Sequence, residues 1–590
     1  MDIKNTQYNL VYNQIAKSLE EAINALGNEI DLSIEDISKS LSIAPNMKMG
    51  HIAFGCFQLA KQLKKAPPQI ASEICEKLVV PNTVSEAKVV GPYLNFFISP
   101  KGLGEDYLST VLDESLFKQK LFADDSRVMI EYSQPNTHKV LHVGHMRNLC
   151  LGNALVRLCR YSGLDTLAVT YPGDMGTHVA KCLWYLKYKE TSEAPKENKG
   201  AWLGEIYAKS NALLEDEKGT DKEDKNREQL TAILKELHSE QGPFYDLWKE
   251  TREWSIELMK ESYQWADVEF DRWFFESEVD AKSLEYVNEL YKQGVLVKDQ
   301  GAIGMNLEED KLGFCLLVKS DGTGLYSTKD VELAKVKFEE FNVDHNVYVV
   351  DNRQAFHFKQ VFKVLEKVGF EKSKNCFHLE YAMVDLPDGA MSSRKGNIIP
   401  LLDLVSQMEE TIKTNYLQKY LDDGSWTKVE VEKTATQIAN GAIKYGMTKI
   451  DNNRKIVFDM NEWLKLDGDT GPYLQYVYAR INSLSNKLSS QATSAVDWSL
   501  LTKDQEVALM VKLITFNDIA ASCAKQLKTI NLCSYLFELG KLFNSFYAEC
   551  PIGKAETPEL LSTRLALAKS CGLIMKNGLS LIGIEAPEKM

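Results

Sequence analysis

The pattern of apolar and polar positions changes twice along the chain and divides it into three parts. In the first part, helical spacing predicts a helix that carries Leu10, Ile15, Leu19, Ile23 and Leu26. A second helix is predicted from about residue 49 to residue 65, ending before Pro67-Pro68. Residues 88–98 predict a strand with a turn in it. Residues 1–112 are therefore expected to form a small α/β module.

The middle part has the pattern of a parallel sheet. An apolar strand at residues 128–130 leads through a polar loop into a predicted amphipathic helix from about residue 142 to residue 162, and a second strand follows at residues 166–170. This order predicts a right-handed βαβ unit within an α/β domain spanning residues 120–400. Further strands are predicted at Phe314–Val318, 347–350 and 379–384.

Two stretches depart from this α/β pattern. Residues 190–240 are rich in Lys and Glu, which predicts a solvated helical insertion placed within about residues 190–300. From residue 401 to residue 590, Trp, Tyr and Leu recur at spacings of three and four, which is typical of a helix bundle.

Composition restricts the class of protein. The chain has 590 residues, 44% hydrophobic and 26% charged, so several folded domains are expected rather than disorder. It contains no apolar run of membrane-spanning length and no signal-like start, so a cytoplasmic protein is predicted. The 11 cysteines include no CxxC pair, which gives no support to a zinc ribbon, and a monomer is expected because no coiled-coil heptad is visible. A net charge of −14 disfavours an undirected nucleic-acid binder but permits a local basic face.

Candidate chemistry begins with a cluster of four histidines, His138, His142, His145 and His178; of these, His142 and His145 lie between the first predicted strand and the next helix. Ligands bind beyond the carboxyl ends of parallel strands, and a helix start offers unpaired N–H groups suited to phosphate. Gly144 leaves room for a nucleotide to approach closely. The spacing also fits two metal ligands, although no third or fourth ligand lies in an obvious frame. We favour two imidazoles that donate to phosphoryl oxygens.

A second basic segment lies far downstream. Residues 390–397, Ala-Met-Ser-Ser-Arg-Lys-Gly-Asn, could close two cations over a triphosphate. Together with His142-Val143-Gly144-His145, this segment resembles the HIGH and KMSKS motifs of class I aminoacyl-tRNA synthetases.

Within that class, the chain resembles the arginyl-tRNA synthetase family. The resemblance rests on residues 131–136 (Glu-Tyr-Ser-Gln-Pro-Asn), residues 173–177 (Gly-Asp-Met-Gly-Thr) and the final residues 581–590. It implies a Rossmann-like catalytic domain with a helical insertion, an N-terminal additional domain that grips the tRNA elbow, and a C-terminal helical-bundle anticodon-binding domain. It also implies ATP-dependent ligation of L-arginine to tRNA(Arg), with Mg²⁺ accompanying ATP, no zinc, and tRNA required for activation.

The resemblance assigns roles to individual residues. Catalytic roles are implied for Lys139, His142, His145, Arg394 and Lys395. ATP is expected to contact His142, Gly144, His145, Gly173, Asp174, His357, Met391, Ser392, Ser393 and Lys395. Arginine is expected to contact Glu131, Asn136, His142, Tyr326, Asp330 and Gln354. The tRNA is expected to contact Tyr93, Asn95, Tyr473, Tyr476, Arg480, Tyr547 and Met590.

Two of these assignments need a chemical argument. Ser393 stands where KMSKS has its second lysine; related arginyl enzymes commonly lack it, and Lys139 is expected to replace it, with Arg394 and Lys395 as further candidates. A guanidinium needs a carboxylate in a fixed geometry, and Tyr326 and Asp330 share one face if helical. From the residues alone, these two equally fit a packed aromatic and a first-turn helix acid.

Three alternatives remain open. A small-molecule nucleotidyltransferase also uses an HxGH turn but needs no long helical tail. Another class I synthetase is conceivable, although the cysteinyl type would want zinc-binding cysteines. An inactive tRNA-binding paralogue would fit the altered second motif but not the intact His142, Gly144 and His145.

Overall fold

The computed structural model describes residues 6, 9–27, 30, 32–123, 125–387, 399–492 and 495–590. The strands of its N-terminal part are β1 (Ser42–Ile43), β2 (Ile52–Gly55), β3 (Val84–Val90) and β4 (Tyr93–Ile98). They form an antiparallel sheet in the order β1-β2-β4-β3. The helices of this part are α1 (Leu10–Asn24), α2 (Ile34–Ser40), α3 (Ala60–Leu63), α4 (Pro67–Lys77), α5 (Pro100–Leu103) and α6 (Ser109–Leu112).

The N-terminal part confirms two sequence predictions and corrects one. The first predicted helix is α1, and the strand with a turn is the β3–β4 hairpin around Gly91, whose φ is +57°. The predicted helix over residues 49–65 is wrong in its first part, which contains β2, a buried strand between β1 and β4; helical structure begins at Cys56 and continues through α3. A short apolar run fits a buried strand as well as a helix. Pro67-Pro68 begins α4, where the missing N–H groups would be unpaired in any case.

The middle part is built from strands and helices in alternation. Its strands are β5 (Arg127–Glu131), β6 (Asp165–Thr170), β7 (Arg272–Trp273), β8 (Val297–Asp299), β9 (Ala302–Asn306), β10 (Phe314–Val318), β11 (His345–Asp351), β12 (Cys376–Tyr381) and β13 (Val384–Asp385). Its helices are α7 (Val143–Tyr161), α8 (Thr177–Tyr188), α9 (Lys199–Asp216), α10 (Glu223–Ser239), α11 (Pro243–Ala266), α12 (Glu276–Lys292), α13 (Tyr326–Phe341) and α14 (Ala355–Lys367).

The main sheet of this part is parallel, in the order β12-β11-β5-β6-β7. The predicted βαβ unit is confirmed as β5-α7-β6. The strand order reverses direction at β5, and ligands of such sheets bind in the crevice at that reversal, beyond the carboxyl ends of the strands. The predicted strand Phe314–Val318 is present but pairs in a separate antiparallel sheet, β10-β9-β8. The stretch predicted as a helical insertion, residues 190–300, also supplies the edge strand β7.

The C-terminal part is helical, as predicted. Its helices are α15 (Leu401–Ile412), α16 (Gln418–Asp422), α17 (Lys428–Thr448), α18 (Met460–Trp463), α19 (Gly471–Leu488), α20 (Asp504–Leu513), α21 (Phe516–Gln526), α22 (Ile530–Glu549) and α23 (Pro558–Leu581), with a short strand β14 (Ile456–Val457) that pairs with β13. Among the described residues, the stretch Asp504–Gln526 is long and apolar enough to cross a membrane, and 61% of its most apolar window is buried inside the protein.

Helix α7 connects the sheet to the C-terminal helices. It packs on β6 and β11 and is covered by α17, α21 and α23. Nearly all of its residues are therefore buried, including Arg147, Asn148 and Asn153. The predicted helix is confirmed, but its predicted amphipathic character is wrong, because helices distant in sequence cover the face that would otherwise meet solvent.

Candidate active site

The histidine motif follows the central strand β5 and starts α7. The Nδ1 of His142 accepts the backbone N–H of Gly144 at 3.0 Å, and the Nδ1 of His145 accepts the backbone N–H of His142 at 3.1 Å. The ring centroids lie 4.0 Å apart. Because each Nδ1 is an acceptor, each neutral ring carries its hydrogen on Nε2. The pair therefore offers two N–H donors at a helix N-terminus, which suits phosphate oxygens.

Both imidazoles are neutral at physiological pH. Burial, followed by the charges of Lys139 and Arg353, lowers the pKa of His142 to about 4. Burial also places the pKa of His145 well below its ordinary value, with the charge of His142 adding to the effect. The two rings can donate hydrogen bonds but bring no net positive charge to the site.

Lys139 lies between the histidine motif and the insertion. Its Nζ is 4.7 Å from the centre of the Tyr207 ring on α9. The neighbouring Val140 packs so closely on α9 that a Cβ on Gly204 would come within 2.6 Å of its Cγ1. The insertion therefore contacts the histidine motif directly.

The two other histidines of the cluster are buried and structural. The Nε2 of His138 lies 2.9 Å from the Thr251 hydroxyl, and its Nδ1 lies 3.0 Å from the Thr137 hydroxyl. The Nε2 of His178 donates to the Gly173 carbonyl at 3.2 Å. Burial lowers the pKa of each ring to about 3. These contacts fix the loops after β5 and β6 against α11 and α8.

Gly173 brings the loop after β6 against the loop after β5. Its carbonyl accepts the Thr137 N–H at 2.9 Å, and its own N–H donates to the Pro135 carbonyl at 3.1 Å. A Cβ on Gly173 would lie 2.4 Å from Asn136 Oδ1 and 3.2 Å from Glu276 Oε1. Asn136 and Glu276 therefore both lie against Gly173, with no space there for a side chain.

Carboxylates gather around this point. The buried Glu131 is paired with Lys337 and accepts a hydrogen bond from Gln134 Nε2 at 3.2 Å. The buried Glu276 lies 3.4 Å from Lys329 Nζ. Burial raises the pKa of Glu276 to about 7, with Lys329 opposing the shift and neighbouring carboxylates adding to it. The hydroxyl of Tyr171 is buried here and has no hydrogen-bond partner within the described ranges. This concentration of acid suits a cationic substrate.

Asp174 is held by hydrogen bonds within the protein. Its carboxylate is fully buried and accepts hydrogen bonds from Arg252 Nε at 2.8 Å, Ser277 Oγ at 2.7 Å and Ser277 N–H at 2.9 Å. Both of its oxygens therefore have partners in the protein, and the predicted contact of Asp174 with ATP stays a prediction. Its hydrogen bonds hold the start of α12, and with it Glu276.

Tyr326 and Asp330 lie on one face of α13, as their spacing predicts. Tyr326 is 63% exposed, whereas Asp330 is partly buried, with its Oδ2 2.6 Å from the Nε2 of His357 on α14. Burial alone would lower the pKa of His357, but the hydrogen bond to Asp330 and its charge outweigh burial and raise that pKa. Gln354 is exposed in the turn that precedes α14.

The second predicted motif, with Met391, Ser392, Ser393, Arg394 and Lys395, lies outside the described residues. The chain that follows it returns to the histidine motif. The Val143 N–H donates to the Ile399 carbonyl at 3.4 Å, and the Leu401 N–H donates to the Leu141 carbonyl at 2.9 Å.

Sequence analysis missed Glu276 and Arg147. Arg147 lies two residues after His145 and is 1% exposed. Its guanidinium donates to the backbone carbonyls of Ala382 at 2.5 Å, Arg454 at 2.7 Å and Asp451 at 2.9 Å. Burial lowers its pKa to about 10. The sequence feature that could have identified Arg147 is a charged residue inside an apolar helical segment. Glu276 follows an aromatic run, and no comparable feature of the sequence marks it.

The residues predicted to contact tRNA fall in two places. Tyr93 is 42% exposed on β4. Asn95 is only 5% exposed and its amide donates to the Met49 carbonyl at 2.9 Å, so the predicted base contact by this side chain is obstructed. On α19, Tyr473, Tyr476 and Arg480 follow one another at helical spacing.

The C-terminal candidates include one contact between two predicted residues. The Arg480 guanidinium carbon lies 4.3 Å from the centre of the Tyr547 ring. The Tyr473 hydroxyl accepts a hydrogen bond from Asn544 at 2.9 Å, and Tyr476 is 41% exposed. Met590 is partly buried against the core.

The parallel sheet, whose central strand leads into a helix that begins at two histidines, belongs to a class I aminoacyl-tRNA synthetase fold, as the following comparison shows. The model of the class I tRNA synthetase (R) catalytic domain matches residues 108–460, that of the arginyl-tRNA synthetase N-terminal domain residues 13–98, and that of the DALR anticodon-binding domain residues 474–590. The chain belongs to the arginine–tRNA ligase family.

Individual relatives agree along nearly the whole chain. An arginine–tRNA ligase of Bdellovibrio bacteriovorus is 55% identical over 97% of this chain and 98% of its own length. One from Clostridium perfringens is 34% identical over 95% of this chain and 98% of its own. The arginyl-tRNA synthetase structure of Thermus thermophilus superposes with a TM-score of 0.80 at 25% identity, covering 98% of this chain and 100% of that one.

Proposed function

We propose that this chain activates L-arginine with ATP, releases diphosphate, and transfers the arginyl group to the 3′ end of tRNA(Arg). Two observations carry the proposal: the two neutral imidazole donors at the start of α7, and the acid cluster of Glu131, Glu276 and Asp330, whose charges all act on the buried Tyr171. One set suits phosphate, and the other suits a guanidinium. Family membership supports the same activity and the use of ATP.

In the first step, the carboxylate of arginine attacks the α-phosphorus of ATP in line. The Nε2–H groups of His142 and His145 donate to phosphate oxygens as charge develops, and the N–H groups at the start of α7 add partial positive charge. Because both rings are neutral, full positive charge comes from Lys139 and from Arg394 and Lys395 of the second motif. Mg²⁺, when bound with ATP, would neutralise part of the phosphate charge. Main-chain atoms near Gly144 and Gly173 approach the nucleotide.

Arginine lies across the end of the sheet. Asp330 and Tyr326 bind the guanidinium, and Glu276 adds a second carboxylate. Burial alone would leave Glu276 largely protonated, but the positive charge of an adjacent guanidinium favours its ionised form. Asn136, Gln354 and the Glu131 region hold the other end of the substrate. Lysine lacks the planar guanidinium, so it would leave carboxylate oxygens of this pocket without hydrogen-bond partners. The pocket should therefore discriminate strongly against lysine.

In the second step, the terminal ribose hydroxyl of the tRNA attacks the adenylate carbonyl. Tyr93 on the N-terminal sheet contacts the tRNA elbow, and Tyr476, Arg480, Tyr547 and Met590 contact the anticodon side by stacking and charge. The protein acts as a cytoplasmic monomer, and bound tRNA is required before arginine is activated. The domains for these tasks are residues 1–112, 120–400 and 401–590.

Diphosphate–ATP exchange tests the proposal. We expect exchange with arginine alone among the amino acids, and only when tRNA is present. Asp330→Asn should raise the arginine KM about 10- to 150-fold, because a charge-assisted hydrogen bond contributes about 1.5–3 kcal/mol. The exposed Asp299→Asn serves as control and should leave KM unchanged. Exchange with another amino acid, or an unaltered KM in Asp330→Asn, would contradict the proposal.

A further inference from the structure

Asp330 already has a hydrogen-bond partner within the protein, His357. Its Oδ2 lies 2.6 Å from His357 Nε2, and the two side chains are 20% and 24% exposed. The contact joins two separate helices, α13 and α14, so it fixes how the two helices face each other at the rim of the acid cluster. A carboxylate that is to grip a guanidinium in a bidentate fork must offer both oxygens. One of the two, Oδ2, already accepts a hydrogen bond from His357, which competes with a guanidinium for that oxygen.

We propose that His357 is the resident partner of Asp330 and that arginine must displace it, so that His357 sets the pH dependence of arginine binding. The inference rests on the proposed function, which gives Asp330 to the guanidinium. A protonated imidazole and a guanidinium are both cations and compete for one carboxylate. A neutral imidazole holds Asp330 by a weaker hydrogen bond and yields more readily.

The other titratable groups around this pair come from every element packed on it. They are Tyr171 after β6, Glu276 on α12, Tyr326 and Lys329 on α13, Tyr348 on β11 and His378 on β12. Burial raises the pKa values of the three tyrosines, the neighbouring carboxylates raise that of Lys329 against the effect of burial, and burial lowers that of His378. Burial raises the pKa of Glu276 to about 7, so Glu276 also titrates within the pH range of the experiment below.

The sign of the effect follows from the raised pKa of His357. The ion pair with Asp330 is fully present below the ordinary histidine pKa and is lost as pH rises through the raised value. Arginine should therefore bind more weakly at acidic pH and more tightly as His357 loses its proton. Protonation of Glu276 acts in the same direction, so the wild-type profile alone does not separate the two groups.

The experiment compares His357→Asn with the wild type by calorimetric titration of arginine into the full chain, without ATP, between about pH 6 and pH 8.5. At the acidic end, the variant should bind arginine about threefold or more tightly than the wild type, and the two curves should converge at the alkaline end. Repeating the comparison in a Glu276→Gln background removes the second titration, and the difference between the paired proteins should persist. His378→Asn removes a neighbouring histidine that donates to the Val350 carbonyl, and should keep the wild-type slope.

The inference is overturned if His357→Asn weakens arginine binding by the same factor at every pH, because His357 would then only orient Asp330. Parallel curves for the two proteins overturn it as well. Asp330→Asn separates this failure from that of the proposed function: if Asp330→Asn abolishes arginine binding while the His357→Asn curve stays parallel, the pocket stands and only the competition is refuted.

Discussion

Gly173→Ala tests whether the contact between the two loops shapes the arginine pocket. The backbone of Gly173 is not in the left-handed region, so alanine brings no backbone strain. Its Cβ would, however, lie 2.4 Å from Asn136 Oδ1 and 3.2 Å from Glu276 Oε1. At the first distance something must move, and Asn136 is held by a loop that is hydrogen-bonded to Gly173 itself. Overpacking of this kind costs about 1–3 kcal/mol.

If this free energy of overpacking destabilises the complex with arginine, the arginine KM should rise about 5- to 150-fold. The assay is tRNA charging at varied arginine, with calorimetric arginine binding as an independent measure and a thermal melt to establish folding. Gly553→Ala is the matched control, because its Cβ would meet nothing closer than 3.6 Å. An arginine KM within twofold of the wild type, in a folded Gly173→Ala protein, would refute the assignment of Asn136 and Glu276 to the pocket.

Two further substitutions test the catalytic apparatus. Lys139→Ala should reduce adenylate formation about 10²- to 10³-fold and more than Lys395→Ala does, because Lys139 lies near His142; comparable small losses in diphosphate exchange would reject its role. Arg147→Met should lower kcat about 10- to 100-fold with smaller changes in KM, since the Arg147 guanidinium joins α7 to the chain after β12 and to the chain before β14. Arg160→Met, at the exposed end of the same helix, is the control. A fall in Tm with kcat unchanged would show that Arg147 has only a structural role.

The parts of the site that sequence predicts are those encoded locally. His142 and His145 follow a strand and begin a helix within one continuous segment, so their position required only the βαβ pattern. Tyr326 and Asp330 likewise needed only helical spacing to share a face. The first part of residues 49–65 was misassigned because the apolar run that forms β2 carries no periodicity that separates strand from helix.

The remainder depends on contacts between distant segments. Asp174 meets Arg252 and Ser277 only after the insertion has folded back on the sheet, and this contact holds its buried carboxylate in place. Arg147 finds its carbonyl partners more than two hundred positions further along the chain. Asn95 is buried because the N-terminal sheet places Gly50 against it. Neither the spacing of residues nor the charge pattern in the sequence shows which polar residues a distant segment will bury.

The lowered pKa values of His142 and His145 bear on the catalytic role proposed for them. A site for a triphosphate needs both directed hydrogen bonds and positive charge, and one group rarely supplies both well when it is buried. Here, burial lowers the pKa of His142 to about 4 and that of His145 well below its ordinary value, so the rings stay neutral through any physiological change of pH. Their Nδ1 atoms accept N–H groups at the start of α7, which fixes the Nε2–H donors before a substrate arrives. Neutral donors held in this way lose little energy by reorganisation as charge develops beside them. The carboxylates of Glu131, Glu276 and Asp330 suit a cationic substrate, and neutral imidazoles form no ion pairs with them.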